Sequence, residues 1–276
     1  MNYKLIVDSC CDMLPALKEK ISLSVVPLSM KLGDMVFVDD EKLNIPDFIA
    51  KMKSTKVTAR SSCPSPGDYA DACAGADTAF IVTLSSNLSG SYNSAVAGKQ
   101  LLENKPCEVH VVDSKSASAG ELLVAMKLAD DMNKKLENSE IVKNIEAFVK
   151  EMKTFFVLEN LDNLIKNGRM SKIAGTVASV LGIRPILGSD GNGNIAFYSK
   201  ARGTDAAIKK LADTIGEHCS DTSKKTLVIT HCNNIKQANR LKEMAEALYS
   251  FKEILIAPTG GLSSMYANDG GIVIAF

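Results

Sequence analysis

The chain has 276 residues, 46% hydrophobic and 23% charged, which is enough apolar material for a sizeable core and argues against a disordered polymer. Lysine plus arginine equals aspartate plus glutamate at 32 each, which removes the broad attraction to phosphate backbones on which nucleic-acid binders rely. No apolar run approaches the roughly 20 residues that cross a bilayer, so no transmembrane segment is expected and any lipid belongs inside the protein. The opening Tyr3 to Val7 reads as a strand rather than an export signal. The seven cysteines, Cys10, Cys11, Cys63, Cys73, Cys107, Cys219 and Cys232, form no spaced framework, so reduced thiols in the cytoplasm are expected.

In chain order, Tyr3 to Val7, Ala79 to Leu84 and Glu108 to Val112 are short apolar runs, each followed by small or capping residues and a helical pattern. Continuous apolar runs of this kind fit buried parallel strands with helices on both faces, which predicts a Rossmann-like first lobe. Val25 to Leu32, the Gly33-Asp34 turn and Met35 to Val38 predict a β-hairpin inserted into that lobe, over about residues 25–58. Ala117 to Leu136 and Ser139 to Met152 carry helical periodicity, with Asn138-Ser139 as break and cap, and are read as the helices that join two lobes.

From Thr154 the order changes. A strand at Phe155 to Leu158 and helices within Asp162 to Leu181 precede a hairpin, Arg184 to Leu187 and Ile195 to Ser199 around Asp190-Gly191-Asn192-Gly193. Helix Thr204 to Glu217, strand Thr226 to Thr230, helix Ile235 to Leu248, strand Glu253 to Ile256 and a last strand near Ile272 to Phe276 complete the pattern. The expectation is an α/β protein of two lobes: residues 1–153, with a parallel sheet and the β insertion, and residues 154–276 as a second α/β lobe.

Two Ser-rich loops stand out, Ser61-Ser62-Cys63-Pro64-Ser65-Pro66 and Ser85-Ser86-Asn87-Leu88-Ser89-Gly90-Ser91, each directly before a predicted helix. Backbone N–H groups and hydroxyls at helix amino ends suit a carboxylate or a phosphate, and serine in that place is equally an ordinary N-cap. Asp8-Ser9 and Asp113-Ser114 sit at the carboxyl ends of strands, where open α/β sheets bind ligands, and there too capping is the alternative. Asn167-Gly168-Arg169-Met170-Ser171 puts an arginine on a tight loop between helices, where it can grip a phosphate or stay solvated. Gly260-Gly261 and Gly270-Gly271 bracket a polar turn.

The sequence has no G-x-G-x-x-G after a strand, no P-loop, no H-E-x-x-H and no G-x-S-x-G. Of the three histidines, His231 adjoins Cys232 at a strand end, and zinc asks for three or four spaced ligands. No metal site and no catalytic residue is assigned.

Taken in order, Ile6-Val7-Asp8-Ser9, Val25-Val26-Pro27-Leu28, Ser61-Ser62-Cys63-Pro64-Ser65, Leu84-Ser85-Ser86-Asn87-Leu88-Ser89-Gly90-Ser91-Tyr92 and Val112-Asp113-Ser114 resemble the DegV family of fatty-acid-binding proteins. Further on, Asn167-Gly168-Arg169-Met170-Ser171 is similar to that family's G-G-R-[IV]-S element and Ile183-Arg184-Pro185-Ile186-Leu187 to its I-K-P-[IL]-L strand. The resemblance spans almost the whole chain. It implies a bacterial, cytoplasmic carrier for phospholipid synthesis, with a long-chain fatty acid buried as ligand and no other cofactor. The loaded carrier presents the carboxylate to a dihydroxyacetone-kinase-like fatty acid kinase, which uses ATP to form an acyl phosphate.

On that basis the ligand-binding residues are Ser61, Ser62, Ser89, Gly90, Asp8, Ser9, Ser114 and Tyr266, with Arg169 as a phosphate or partner contact. Two departures accompany it. Ser61-Ser62-Cys63-Pro64 stands where the family often has T-S-Q-P, and Met265-Tyr266-Ala267-Asn268-Asp269-Gly270 where members often carry a histidine and a G-P-G turn. Tyr266 keeps a donor without the histidine's charge switch. The alternative reading is an enzyme acting on a small carboxylated or phosphorylated molecule, with the Ser-rich loops as anion site.

Overall fold

The computed structural model describes residues 2–15, 21–171, 173, 175 and 182–276. Its first elements are strands β1 (Tyr3–Asp8), β2 (Leu23–Val26), β3 (Ser29–Leu32) and β4 (Met35–Val38), then helix α1 (Ile45–Ser54), strand β5 (Arg60–Ser62) and helix α2 (Pro66–Ala72). Strand β6 (Thr78–Thr83), helix α3 (Ser91–Gln100), strand β7 (Glu108–Asp113) and helices α4 (Ala119–Asn133) and α5 (Asn138–Glu151) follow. The remainder runs β8 (Thr154–Val157), α6 (Asp162–Lys166), β9 (Ile183–Ser189), β10 (Ile195–Arg202), α7 (Thr204–His218) and β11 (Thr226–His231). It ends with α8 (Ile235–Leu248), β12 (Glu253–Pro258), α9 (Gly261–Ala267) and β13 (Ile272–Ala275).

The strands form three sheets. The first, in the order β2-β1-β6-β7, is parallel throughout. Of its middle strands, β6 is buried along its whole length and β1 from Leu5 onward, as their apolar runs require when helices cover both faces. The second sheet, β10-β9-β8-β13-β11-β12, is antiparallel except for the β11–β12 pair, and the hairpin expected around Asp190 to Gly193 is its β9–β10 edge. The fold is mixed α/β, as the sequence pattern implied.

The insertion differs from the expected hairpin. The run from Val25 to Leu32 is two strands rather than one, because Pro27 lacks a ladder N–H and redirects the chain. Its first part extends the parallel sheet and its second enters a small antiparallel sheet, β4-β3-β5. The third strand of that sheet is Arg60–Ser62, so the first Ser-rich segment begins as a strand and only Ser65 caps the following helix. There Ser65 and Asp68 form a reciprocal capping box. Of the helices expected within Asp162 to Leu181, α6 and the turns after it lie in the described residues, and 172, 174 and 176–181 lie outside them.

Helix α4 holds the sheets together. From Ala119 to Ala125 every residue is buried, a pattern that marks a helix enclosed on all sides rather than one lying on a surface. One cluster unites Leu5 and Val7 of β1, Phe80 and Val82 of β6, Leu122, Leu123 and Leu128 of α4, and Val228 and Ala275 of the second sheet. Leu122 has no exposed surface. Leu122→Ala is expected to lower stability by about 2–5 kcal/mol, the range for truncating a buried leucine, read as a reduced urea midpoint with unchanged denaturant slope.

Candidate functional site

A cavity of about 120 Å3 opens where the parallel sheet, the β8–β9 pair, the small sheet and α9 meet. A single water needs only roughly 10–15 Å3 on the same measure, so this is far more than a packing flaw. Leu28, Leu84, Leu88, Phe156, Leu158, Leu164, Ile195, Leu262 and Val273 line it with hydrocarbon.

Ser61, Ser89, Arg169 and Tyr266 are gathered on that wall. The Ser61 and Tyr266 hydroxyls lie 2.9 Å apart, and the Arg169 guanidinium stands 5.9 Å from the centre of the Tyr266 ring. Arg169 Nε donates to the Leu88 carbonyl at 3.1 Å, and a second donor reaches the Asn167 carbonyl. Asn167 Nδ2 in turn donates to the Ala59 carbonyl at 2.9 Å, just before β5. Asn167 and Arg169 thereby tie the turn after α6 to the second Ser-rich loop and to the residue just before β5. Those segments also meet each other: a Cβ on Gly90 would lie 3.1 Å from Cys63 Sγ.

Hydrogen-bond capacity differs around the cavity. Ser89 Oγ accepts from Ser91 N at 3.2 Å, which leaves its own proton uncommitted. In the Ser61–Tyr266 pair only one hydroxyl can donate to the other, so one donor remains. Deeper hydroxyls are committed. Ser116 and Thr154 pair at 2.7 Å, and Ser116 Oγ also reaches the Ala117 carbonyl at 3.5 Å. Ser118 bonds Asp12 and lies 2.6 Å from the Thr230 hydroxyl; Ser263 Oγ donates to the Cys10 carbonyl at 3.4 Å. Those positions face the cavity as polar atoms already satisfied by the protein.

The remaining residues singled out in the sequence shape the wall from behind. Asp8 is fully buried and accepts from Cys10 N and Leu84 N, both at 3.0 Å. Ser9 Oγ accepts from Leu28 N at 3.0 Å, and Ser114 Oγ donates to the Ser116 carbonyl at 3.2 Å. Cys10, Leu84, Leu28 and Ser116 all line the cavity, so each of these side chains fixes the backbone of a wall residue without being part of the wall itself. Ser62 follows Ser61 on strand β5 and points to the opposite, exposed face, as the two-residue period of a strand dictates. Gly90 is exposed at the amino end of α3.

Several contributors had no signal in the sequence reading. Helix α9, which brings Leu262, Ser263 and Tyr266 to the cavity, reads as a turn because glycines flank it. Two buried carboxylates hold its start. Asp39 accepts from Gly261 N and Leu262 N, each at 2.8 Å, and Asp12 accepts from Gly260 N at 2.7 Å. Burial raises the Asp12 carboxyl to about 7 and Asp8 to about 6, against the bonds each accepts. Among the described residues no three metal-ligating side chains converge, and no helix is long and apolar enough to cross a membrane.

Comparison with known proteins adds to this geometry. The family model described as "Uncharacterised protein, DegV family" matches residues 2–276. A DegV domain-containing protein of Streptococcus pneumoniae is 37% identical over 280 residues, covering all of this chain and 99% of that one. A DegV family crystal structure from Ruminococcus gnavus, described with vaccenic acid, superposes with a TM-score of 0.96 at 38% identity over the whole of both chains. The Fatty Acid Kinase (Fak) B3 protein of Streptococcus pneumoniae, loaded with linoleic acid, does so with a TM-score of 0.93 at 37% identity, covering all of this chain and 99% of that one. With a family model spanning nearly every residue and relatives of the same length and fold, the chain belongs to the DegV family.

Proposed function

We propose that this chain binds one long-chain fatty acid, with the acyl tail in the cavity and the carboxylate at Ser61, Ser89, Tyr266 and Arg169, and that it carries the acid rather than transforming it. The observation that supports this most directly is the uneven supply of donors. Around the deep hydroxyls the protein satisfies its own polar atoms, whereas Ser89, the Ser61–Tyr266 pair and Arg169 keep donors to spare. An amphiphile with one anionic end fits such a wall in one orientation. Relatives described with vaccenic acid and as loaded with linoleic acid favour the same ligand class.

The energetics follow from the two ends. Each methylene taken from water contributes about 0.8 kcal/mol, so the tail supplies most of the affinity. Hydrogen bonds to a charged group contribute roughly 1.5–3 kcal/mol each and set orientation. Ser61, Ser89 and Arg169 are only partly buried, and Gly90 and Ser62 beside them are exposed. A carboxylate held there stands within reach of a second protein. We read Arg169 and the exposed Ser62 and Gly90 as the surface offered to a partner kinase that activates the acid as an acyl phosphate; the Fak B3 relative's description names a fatty acid kinase.

Native mass spectrometry of the purified chain, followed by denaturing extraction, is expected to show one fatty acid per chain. An empty protein that takes up no added fatty acid overturns the proposal. In a series of saturated acids offered to delipidated protein, affinity should rise about fourfold per added methylene until the cavity is full. The Ser61→Ala, Ser89→Ala double variant should bind the same acids at least tenfold more weakly with little change in melting temperature; unaltered affinity in a folded double variant excludes the carboxylate position.

A further inference from the structure

Behind the cavity lies a buried group that fatty-acid binding does not use. Glu121, in the first turn of α4, has no exposed surface, and neither of its carboxyl oxygens has a donor within hydrogen-bond distance. The titratable groups that act on it are acids and thiols, and Lys115, beside them, is taken up by Asp113 at 2.8 Å. Asp8 faces it from the end of β1, Cys10, Cys11 and Asp12 from the loop that follows, and Asp113 from the end of β7. Thr83 at the end of β6 is buried with its hydroxyl unpartnered, and Tyr69 of α2 contributes a neutral phenol that donates to Ser91. From the second sheet, β11 brings the Thr230 hydroxyl, bonded to Ser118, and His231, whose Nδ1 accepts from Asn234 N; β13 brings no titratable side chain. Lys127 of α4 and Lys134, which caps its end, pair with Asp131 at the other end of the helix, where Asn144 of α5 also bonds it.

An ionised carboxylate in a dry site without cation or donor is among the costliest arrangements a fold can hold. Two ionised acids facing each other only repel, because neither can donate. A single proton turns the same juxtaposition into a hydrogen bond between acid and carboxylate. Asp8 is the natural acceptor, since Leu84 N and Cys10 N already stabilise its charge. We propose that Glu121 keeps its proton at neutral pH and donates it to Asp8, so that a shared proton locks the start of α4 to the end of β1 directly behind the cavity wall.

Burial, then the charges of Asp8 and Asp12, push the Glu121 acid well above the ordinary carboxylate range, in keeping with this arrangement. The consequence for stability has a definite sign. Below about pH 4, folded and unfolded chains both hold the proton. As pH rises the unfolded chain releases it first, so stability falls progressively until the folded acid also ionises. Asp8 and Asp12, raised to about 6 and about 7, add slopes of the same sign at lower pH. Cys10 and Ser118, on either side of the lock, both line the cavity, so its release loosens that wall.

The test is thermal unfolding of the full chain between pH 6 and pH 9, wild type against Glu121→Gln. The amide keeps a donor for Asp8 and cannot ionise. Wild type should lose roughly 5 °C or more of melting temperature beyond what the variant loses; parallel curves overturn the proposal. Should the variant fail to fold, the wild type answers alone. With glutamate 13C-labelled at its side-chain carboxyl, infrared spectra at pH 7 should retain one protonated-acid band, and its absence overturns the proposal as well. Neither measurement depends on which ligand the cavity takes.

Discussion

The structure depends on the enclosure of one helix between two sheets. Helix α4 has no solvent face over its first two turns, and its leucines and alanines pack at once on the parallel sheet and on β11 and β13 of the mixed sheet. Removing that much apolar surface from water is what joins the two halves of the chain. It also fixes where the helix must begin. Ser118 precedes it with a φ of 55°, a conformation that costs a non-glycine residue on the order of 1 kcal/mol. The residue is kept there by bonds to Asp12 and Thr230 from opposite halves of the chain. The start of α4, the start of α9 and the floor of the cavity are therefore one buried polar assembly.

That assembly explains how a mostly apolar cavity carries so many hydroxyls. A serine or threonine beside a hydrocarbon is costly only if its donor is left over. Ser116 with Thr154, and Ser118 with Asp12, direct their donors at each other or at the protein, so the wall they form remains compatible with an acyl tail. Where donors remain, the loops are held by backbone contacts instead. Arg169 and Asn167 bond main-chain carbonyls at Leu88 and Ala59, which orders the mouth while leaving side-chain hydroxyls free for a guest.

Much of the fold was legible in the sequence, because apolar runs such as Phe80 to Val82 and the periodicity of Ile235 to Leu248 report directly on burial. Where local chemistry and tertiary pairing disagreed, it was not. Arg60–Ser62 has a loop's composition and becomes a strand only because β3 offers it an edge. Gly260-Gly261 looks like a turn and opens a helix because Asp39, distant in sequence, accepts its first amides. Ser61, Ser89 and Arg169 were singled out through ordered motifs and Tyr266 as the residue standing where the family often has a histidine, and the structure brings all four to one wall. Asp12, Asp39 and Glu121 gave no motif: an isolated acidic residue in a sequence carries no mark of being buried.

The turn between β9 and β10, which reaches the cavity at Gly193 and Asn194, is tied to the second Ser-rich loop through its main chain. Ser85 Oγ donates to the Gly193 carbonyl at 2.8 Å and Asn87 Nδ2 to the Asn192 carbonyl at 2.7 Å. Gly193 has a φ of 88°, and a Cβ there would stand 2.2 Å from Ser85 Oγ. A seam built from carbonyls does not register which side chains the turn displays to solvent. Asn192 is thus open to exchange over evolutionary time while Gly193 is not, and the outer surface of this turn can be rewritten to suit different neighbours without disturbing what the cavity holds.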